Sequence, residues 1–127
     1  KMNEYIAELM KPWKGYQVSL EEIHHTKKLD TPSGTAITLA EGIIKNSDKI
    51  SWNQKELKEN NIDITSKRLK DVKGTHTVNY HSEIDTISIQ HEAHSRKGFA
   101  LGALLAAEWL IGKKGVFTMK DVLKLKS

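Results

Sequence analysis

Residues 24–36 hold the densest grouping of chemically capable side chains: His24, His25, Lys28, Asp30, Ser33, Gly34 and Thr35. The second half of this stretch reads as a helix entry. Pro32 lies where a helix begins and lacks the backbone donor that would go unpaired there. Gly34 allows close backbone approach, and Thr35 offers both an amide and a hydroxyl. Free amides at the positive end of a helix dipole make a ready anion site. A plain cap by Ser33 or Asp30 uses the same residues, and spacing alone leaves both readings open. The first half adds acid–base chemistry. Adjacent residues leaving a strand point to opposite sides, so one of His24 and His25 can face a substrate while the other faces a wall or a ligand group. An imidazole titrates near pH ~6.5 and can give or take a proton at cellular pH. Lys28 is a point charge suited to a carboxylate. The set describes a pocket for a small carboxylic acid with an acid/base at its edge; the plain alternative is surface His and Lys on a turn.

A strand must precede these groups and a helix must follow them. Residues 16–23 alternate Tyr16, Val18 and Leu20 with polar neighbours, predicting a strand with one buried face. Ala36, Ile37, Leu39, Ala40, Ile43 and Ile44 give residues 33–45 the apolar stripe of a helix. Upstream, apolar groups at 2, 5, 6, 9 and 10 predict an amphipathic helix that Pro12 ends. Residues 46–61 are polar, with Trp52 and Leu57 as apolar exceptions, and read as an excursion outside the sheet. Strands are predicted over 62–69, 76–80 and 84–94, the last two joined tightly at Ser82-Glu83. Residues 98–111 carry one charge, Glu108, and predict a helix buried in a core or an interface. Gly112 and Gly115 bracket its end beside Lys113-Lys114, and Thr118 with Asp121 predicts a capped last helix over 119–124. The order gives an α+β fold: a mixed sheet of about four strands with helices on one face.

The chain has 127 residues, 38% hydrophobic and 28% charged, enough for one core. It is too short for a typical two-domain enzyme. No cysteine is present, which excludes disulfides, thiolate metal sites and a cysteine nucleophile. Lys+Arg number 20 against 16 Asp+Glu, but the charges interleave (Lys55-Glu56, Lys58-Glu59, Lys120-Asp121), as on a solvated face. No nucleic-acid motif accompanies the charge, and no stretch approaches the ~18 apolar residues of a membrane span. His91 and His94 are three apart on a predicted strand, so they face opposite sides and do not form H-E-x-x-H; no metal site is expected. Arg96-Lys97 opposes a helix dipole at its start, which suits either an anion near Arg96 or a structural ion pair. Lys1 stands in place of a start residue, and the expectation is a piece of a longer chain.

The string His24-His25-x-x-Lys28-x-Asp30-x-Pro32-Ser33-Gly34-Thr35-Ala36 resembles the substrate-binding motif of the dihydrodipicolinate reductase family. Gly74–Val78, Glu92–Arg96, Phe99-Ala100-x-Gly102-Ala103 and Gly115–Met119 resemble the later strands, apolar helix and tail of that family. The resemblance is weakest over 46–61, and Thr31 stands where the family more often has Ala. It implies a reductase of lysine and diaminopimelate biosynthesis, cytoplasmic and homotetrameric. In that family His24 would protonate the ring carbon beside the hydride acceptor, and Lys28 would assist. His25 with Ser33, Gly34 and Thr35 would hold the carboxylates of a cyclic dicarboxylate substrate, and Arg96 would face the substrate or the cofactor cleft. NADH or NADPH would be bound mainly by an N-terminal dinucleotide-binding half. This sequence has no G-x-G-x-x-G, so the resemblance is to the C-terminal substrate-binding and oligomerisation domain, expected to be inactive alone. The competing reading is a non-catalytic assembly or dicarboxylate-sensing domain of the same fold.

Overall fold

The computed structural model describes residues 1–54 and 59–126. The expectations for Lys55, Glu56, Leu57 and Lys58 lie outside them. The chain divides into two compact units, 1–94 and 95–127, each described by itself.

The first unit contains helix α1 (Met2–Met10), strand β1 (Gln17–His24), helix α2 (Gly34–Lys45), and strands β2 (Ser51–Asn53), β3 (Asn61–Arg68), β4 (Thr75–His81) and β5 (Thr86–Glu92). The strands form one sheet in the order β2-β3-β1-β4-β5. β1 runs parallel to β3 and antiparallel to β4; β2 is parallel to β3, and β5 antiparallel to β4. The sheet is mixed, as expected, but has five strands rather than about four. The fifth is β2, drawn from the segment read as an excursion. Three residues carry too little periodicity to announce a strand. Trp52 pairs with Ile62 and packs against the core, and that tertiary contact makes the edge.

Period-two alternation decides what each strand offers the helices. Val18 and Leu20 of β1, Ile62 and Ile64 of β3, and Val78 and Tyr80 of β4 are buried with Ala36, Ala40 and Ile43 of α2 and Ala7 of α1. Register aligns these into rows across the three central strands: Ile64 beside Leu20 beside Val78 is one. Each fully buried aliphatic side chain contributes roughly 1.5–3 kcal/mol. In α1 only part of the apolar stripe turns inward: Ala7 is buried and Ile6 and Met10 partly so, while Met2, Tyr5 and Leu9 are exposed. Asn3 Nδ2 donates to the Leu39 carbonyl at 3.0 Å. At Gly42 the helices lie close enough that a Cβ would touch Asn3 Nδ2 and Glu4 Cγ at 3.4 Å, an ordinary contact distance.

The β4–β5 connection is longer than the two residues expected. The Ser82 amide donates to the Asp85 carbonyl at 2.9 Å, and the Ser82 hydroxyl accepts from the Ile84 and Asp85 amides at 3.1 Å. This side-chain turn competes with strand pairing and delays β5 to Thr86.

The second unit holds helix α3 (Lys97–Leu110) and helix α4 (Met119–Val122). None of the residues of α3 is buried, so its expected burial is not met within this chain. Lys113 Nζ donates to the Trp109 carbonyl at 2.8 Å and lies 4.4 Å from the Trp109 ring centroid. That places a cation at the negative end of α3. Thr118 and Asp121 form the predicted capping box, with the Thr118 amide donating to Asp121 Oδ2 at 2.6 Å.

Candidate active site

The buried face of β1 does not stop at Leu20. Two and four residues on, the same face carries Glu22 and His24, and register sets polar groups beside them. Glu22 pairs with Ser66 of β3 and His76 of β4, and His24 pairs with Arg68. One apolar row thus gives way to a polar one at the edge of the core.

Glu22 is fully buried. Arg68 grips it with two hydrogen bonds, Nη1 to Oε2 at 3.0 Å and Nη2 to Oε1 at 2.9 Å. The Ser33 amide donates to Oε1 at 3.2 Å, and His24 Nδ1 hydrogen-bonds Oε2. Burial by itself would push the Glu22 carboxyl up; hydrogen bonds from Arg68, Ser66 and His24 outweigh it and hold the group below the usual carboxylate range. Arg68 Nη2 also donates to the Asp30 carbonyl at 2.7 Å, and the His24 carbonyl accepts from the Leu69 amide at 2.9 Å. The loop between β1 and α2 is therefore tied to the end of β3.

His76 stands edge-to-face with His24, ring centroids 5.0 Å apart, and its Nε2 lies 3.1 Å from the Ser33 hydroxyl. Burial pushes its pKa down to about 4, with the charge of His24 acting in the same direction. Gly74 (φ +148°) sits against the other side of His24, where a Cβ would stand 3.3 Å from Nε2. Glu22, His24 and His76 place their ligand atoms within 4.8 Å of one another. Both Glu22 oxygens are already held by the Arg68 guanidinium, a permanent cation, so the trio reads as a hydrogen-bonded cluster. His91 and His94, the pair weighed in the sequence for a metal, are both exposed.

His24 ends β1, and half-buried His25 follows it. Lys28 is half-buried and pairs with exposed Asp30 at 2.9 Å, whose carboxyl its hydrogen bond holds low. Such an exposed pair contributes about 0–1 kcal/mol, so Lys28 can exchange Asp30 for another carboxylate at small cost. Ser33 is the buried N-cap of α2, its hydroxyl accepting from the Ala36 amide at 3.1 Å. The cap reading and the helix-entry reading thus coexist, with the Ser33 amide and hydroxyl both engaged. Gly34 and Thr35 are exposed in the first turn, where amides have no intrahelical partner. Pro32 lies one residue before the cap rather than in the first turn, behind a cis Thr31–Pro32 bond. Arg96 belongs to the second unit, at the N-cap of α3.

Glu22, Arg68 and His76 were not singled out in the sequence as site residues. A signal for each was present. Counting by two from Leu20 reaches Glu22, from Ile64 reaches Arg68, and from Val78 reaches His76. A charged residue in phase with a buried run must be paired.

A cavity of about 60 Å³ lies elsewhere, lined by Ala7, Met10, Val18 and Tyr80 among others, and touches none of these residues.

The family described as dihydrodipicolinate reductase, C-terminus, matches residues 1–123. The chain is 53% identical over 124 residues to a 4-hydroxy-tetrahydrodipicolinate reductase of Christiangramia forsetii, covering 97% of this chain and 52% of that relative. It is 39% identical to one of Thermosipho africanus, covering 95% of this chain and 49% of the relative. A dipicolinate-bound dihydrodipicolinate reductase from Paenisporosarcina sp. TG-14 shares the fold, with a TM-score of 0.65 at 24% identity over 91% of this chain and 47% of that one. The chain spans about half the length of the curated relatives it matches.

Proposed function

This chain belongs to the family of dihydrodipicolinate reductase C-terminal domains, and from that membership we propose that it is the substrate-binding and oligomerisation domain of a reductase. The reaction is the NADH- or NADPH-dependent conversion of 4-hydroxy-tetrahydrodipicolinate to tetrahydrodipicolinate, in which the hydroxyl leaves as water and a hydride and a proton are added, in cytoplasmic lysine and diaminopimelate biosynthesis. The sequence contains no glycine-rich dinucleotide loop, so the nicotinamide cofactor is assigned mainly to another domain. It supplies the hydride when held by a separate dinucleotide-binding domain. The residues of this chain bind the substrate and deliver the proton.

One observation carries the reading. A single buried carboxylate, Glu22, is bound both by His24 and by the Ser33 amide. The imidazole and the N-terminus of α2 are therefore anchored to the same point. The exposed Gly34 and Thr35 amides, with Lys28 released from Asp30 and with His25, hold a substrate carboxylate there. His24 protonates the ring carbon next to the one receiving hydride. Arg96 serves as a further carboxylate or cofactor-side contact. The exposed apolar side chains of α3, among them Phe99, Leu101 and Leu104, support assembly into a homotetramer.

Calorimetric titration with pyridine-2,6-dicarboxylate tests the pocket. The chain binds it weakly without turnover, and Lys28→Ala weakens binding roughly tenfold, the loss of one charge-assisted hydrogen bond. Unchanged affinity would remove Lys28 from the site. In the full reductase polypeptide carrying this sequence, His24→Ala separates catalysis from a sensing or assembly role: undiminished turnover excludes His24 as the acid.

A further inference from the structure

We propose that Glu22 is a positioning residue for His24, locking its imidazole so that Nδ1 always carries hydrogen and Nε2 alone exchanges the proton. The proposal rests on the reading of His24 as the proton donor.

The donors around Glu22 fix the tautomer. Glu22 is fully buried, and three of its contacts come from groups that can only donate. Arg68 Nη1 and Nη2 reach it at 3.0 and 2.9 Å, and the Ser33 amide reaches it at 3.2 Å. A guanidinium does not lose its proton in a protein, and a backbone amide has no other form. Glu22 is therefore an acceptor toward everything around it. Toward such a carboxylate the remaining partners, the Ser66 hydroxyl and His24 Nδ1, have to donate as well, so Nδ1 is N–H. Nδ1 is spent, and the proton that comes and goes belongs to Nε2.

The other side of the ring agrees. Nε2 faces Gly74, whose missing side chain leaves space, since a Cβ would stand 3.3 Å away. His76, the nearest ring, is occupied with Ser33 Oγ at 3.1 Å. Arg68 in turn holds Glu22 still. Its second tie, to the Asp30 carbonyl at 2.7 Å, sets the same carboxylate and the Lys28 loop in one frame.

Glu22→Gln makes the test sharp. The new amide has one acceptor and one donor end. Two obligate donors, the Ser33 amide and Arg68 Nη2, meet the Oε1 position and one, Arg68 Nη1, meets Oε2, so the oxygen takes the Oε1 position and the NH₂ group falls on the side of His24. A neutral imidazole answers by changing tautomer, with Nδ1 becoming the acceptor and Nε2 carrying the hydrogen. Long-range ¹H–¹⁵N spectra of the chain at pH about 8.5, well above the ordinary imidazole range, read this directly. The expected result is Nδ1–H in the native chain and Nε2–H in Glu22→Gln. In the full reductase polypeptide, Glu22→Gln should lower kcat about 100-fold while KM stays within about threefold, the scale of a misdirected general acid.

An Nε2–H tautomer in the native chain overturns the proposal outright, and that measurement needs no variant to fold. So does a flipped tautomer in Glu22→Gln with kcat unchanged. Failure of the functional reading shows separately. An active reductase indifferent to His24→Ala would leave the tautomer result standing and remove only the reaction it serves.

Discussion

At the scale of single residues, the site is governed by which groups are kept uncharged and which are kept charged beside one another. His76 is held neutral, its pKa pushed down to about 4 from the ordinary 6.5. Between those values the unfolded chain binds the proton more readily than the folded one. The contribution of His76 is therefore complete above pH ~6.5 and is lost as pH falls toward 4, an effect of about 1–3 kcal/mol. Glu22 is instead kept charged, and its pH dependence has the same sign. Its carboxyl is depressed below the usual range, so its stabilisation is present above the unfolded carboxyl value and is lost only as pH drops through the lower folded one. Thermal unfolding of the chain should thus decline in two steps on acidification, His76 first. His76→Gln, which keeps a partner for Ser33, should flatten the upper step and leave the lower one. A single acid transition, unaltered by that exchange, would contradict the assignment.

Elements explain why part of this was legible in the sequence and part was not. The strand before His24 follows from Tyr16, Val18 and Leu20 alone, and α2 from its apolar stripe, because both patterns are local. β2 was not legible, since Ser51–Asn53 become a strand only by lying against β3. The role of Glu22 was hidden for a different reason. A pair of acids, Glu21-Glu22, after an apolar alternation looks like the exposed end of a strand until Arg68, 46 residues further on, supplies the counter-charge of Glu22. The packing of α1 on α2 yields a prediction at this scale. At Gly42 a Cβ meets Asn3 and Glu4 only at ordinary contact distance, so Gly42→Ala should raise stability by about 0.5–1 kcal/mol through helix propensity. Gly42→Leu has no room for its longer branch and should loosen α1. Chemical denaturation of the two variants measures both, and destabilisation by alanine would mean that the contact is tighter than described.

The whole molecule is two units on one chain, and they differ in how they treat apolar surface. The first buries its aliphatic side chains between sheet and helices. In the second, none of the residues of α3 is buried, and Phe99, Leu101, Leu104 and Leu105 are all about half exposed. Contiguous apolar surface of this kind marks an interaction face. Under the proposed assembly, Leu104→Lys should shift the sedimentation coefficient of the full reductase polypeptide toward smaller species, and an unchanged coefficient would exclude α3 from the interface. The family was legible at this scale because its motif is contiguous over 24–36. The number of subunits was not, because a self-complementary surface has no sequence pattern of its own.

The shared face of β1 has a consequence for how this protein can change. Val18, Leu20, Glu22 and His24 are teeth of one comb, two of them greasy and two of them charged or protonatable. Inserting or deleting one residue anywhere between them rotates every later tooth to the far side of the sheet. No such event can retune the chemistry while sparing the core, or repair the core while sparing the chemistry. Variation in this strand is confined to substitutions, and length changes must accumulate where no comb runs, in connections such as 46–50.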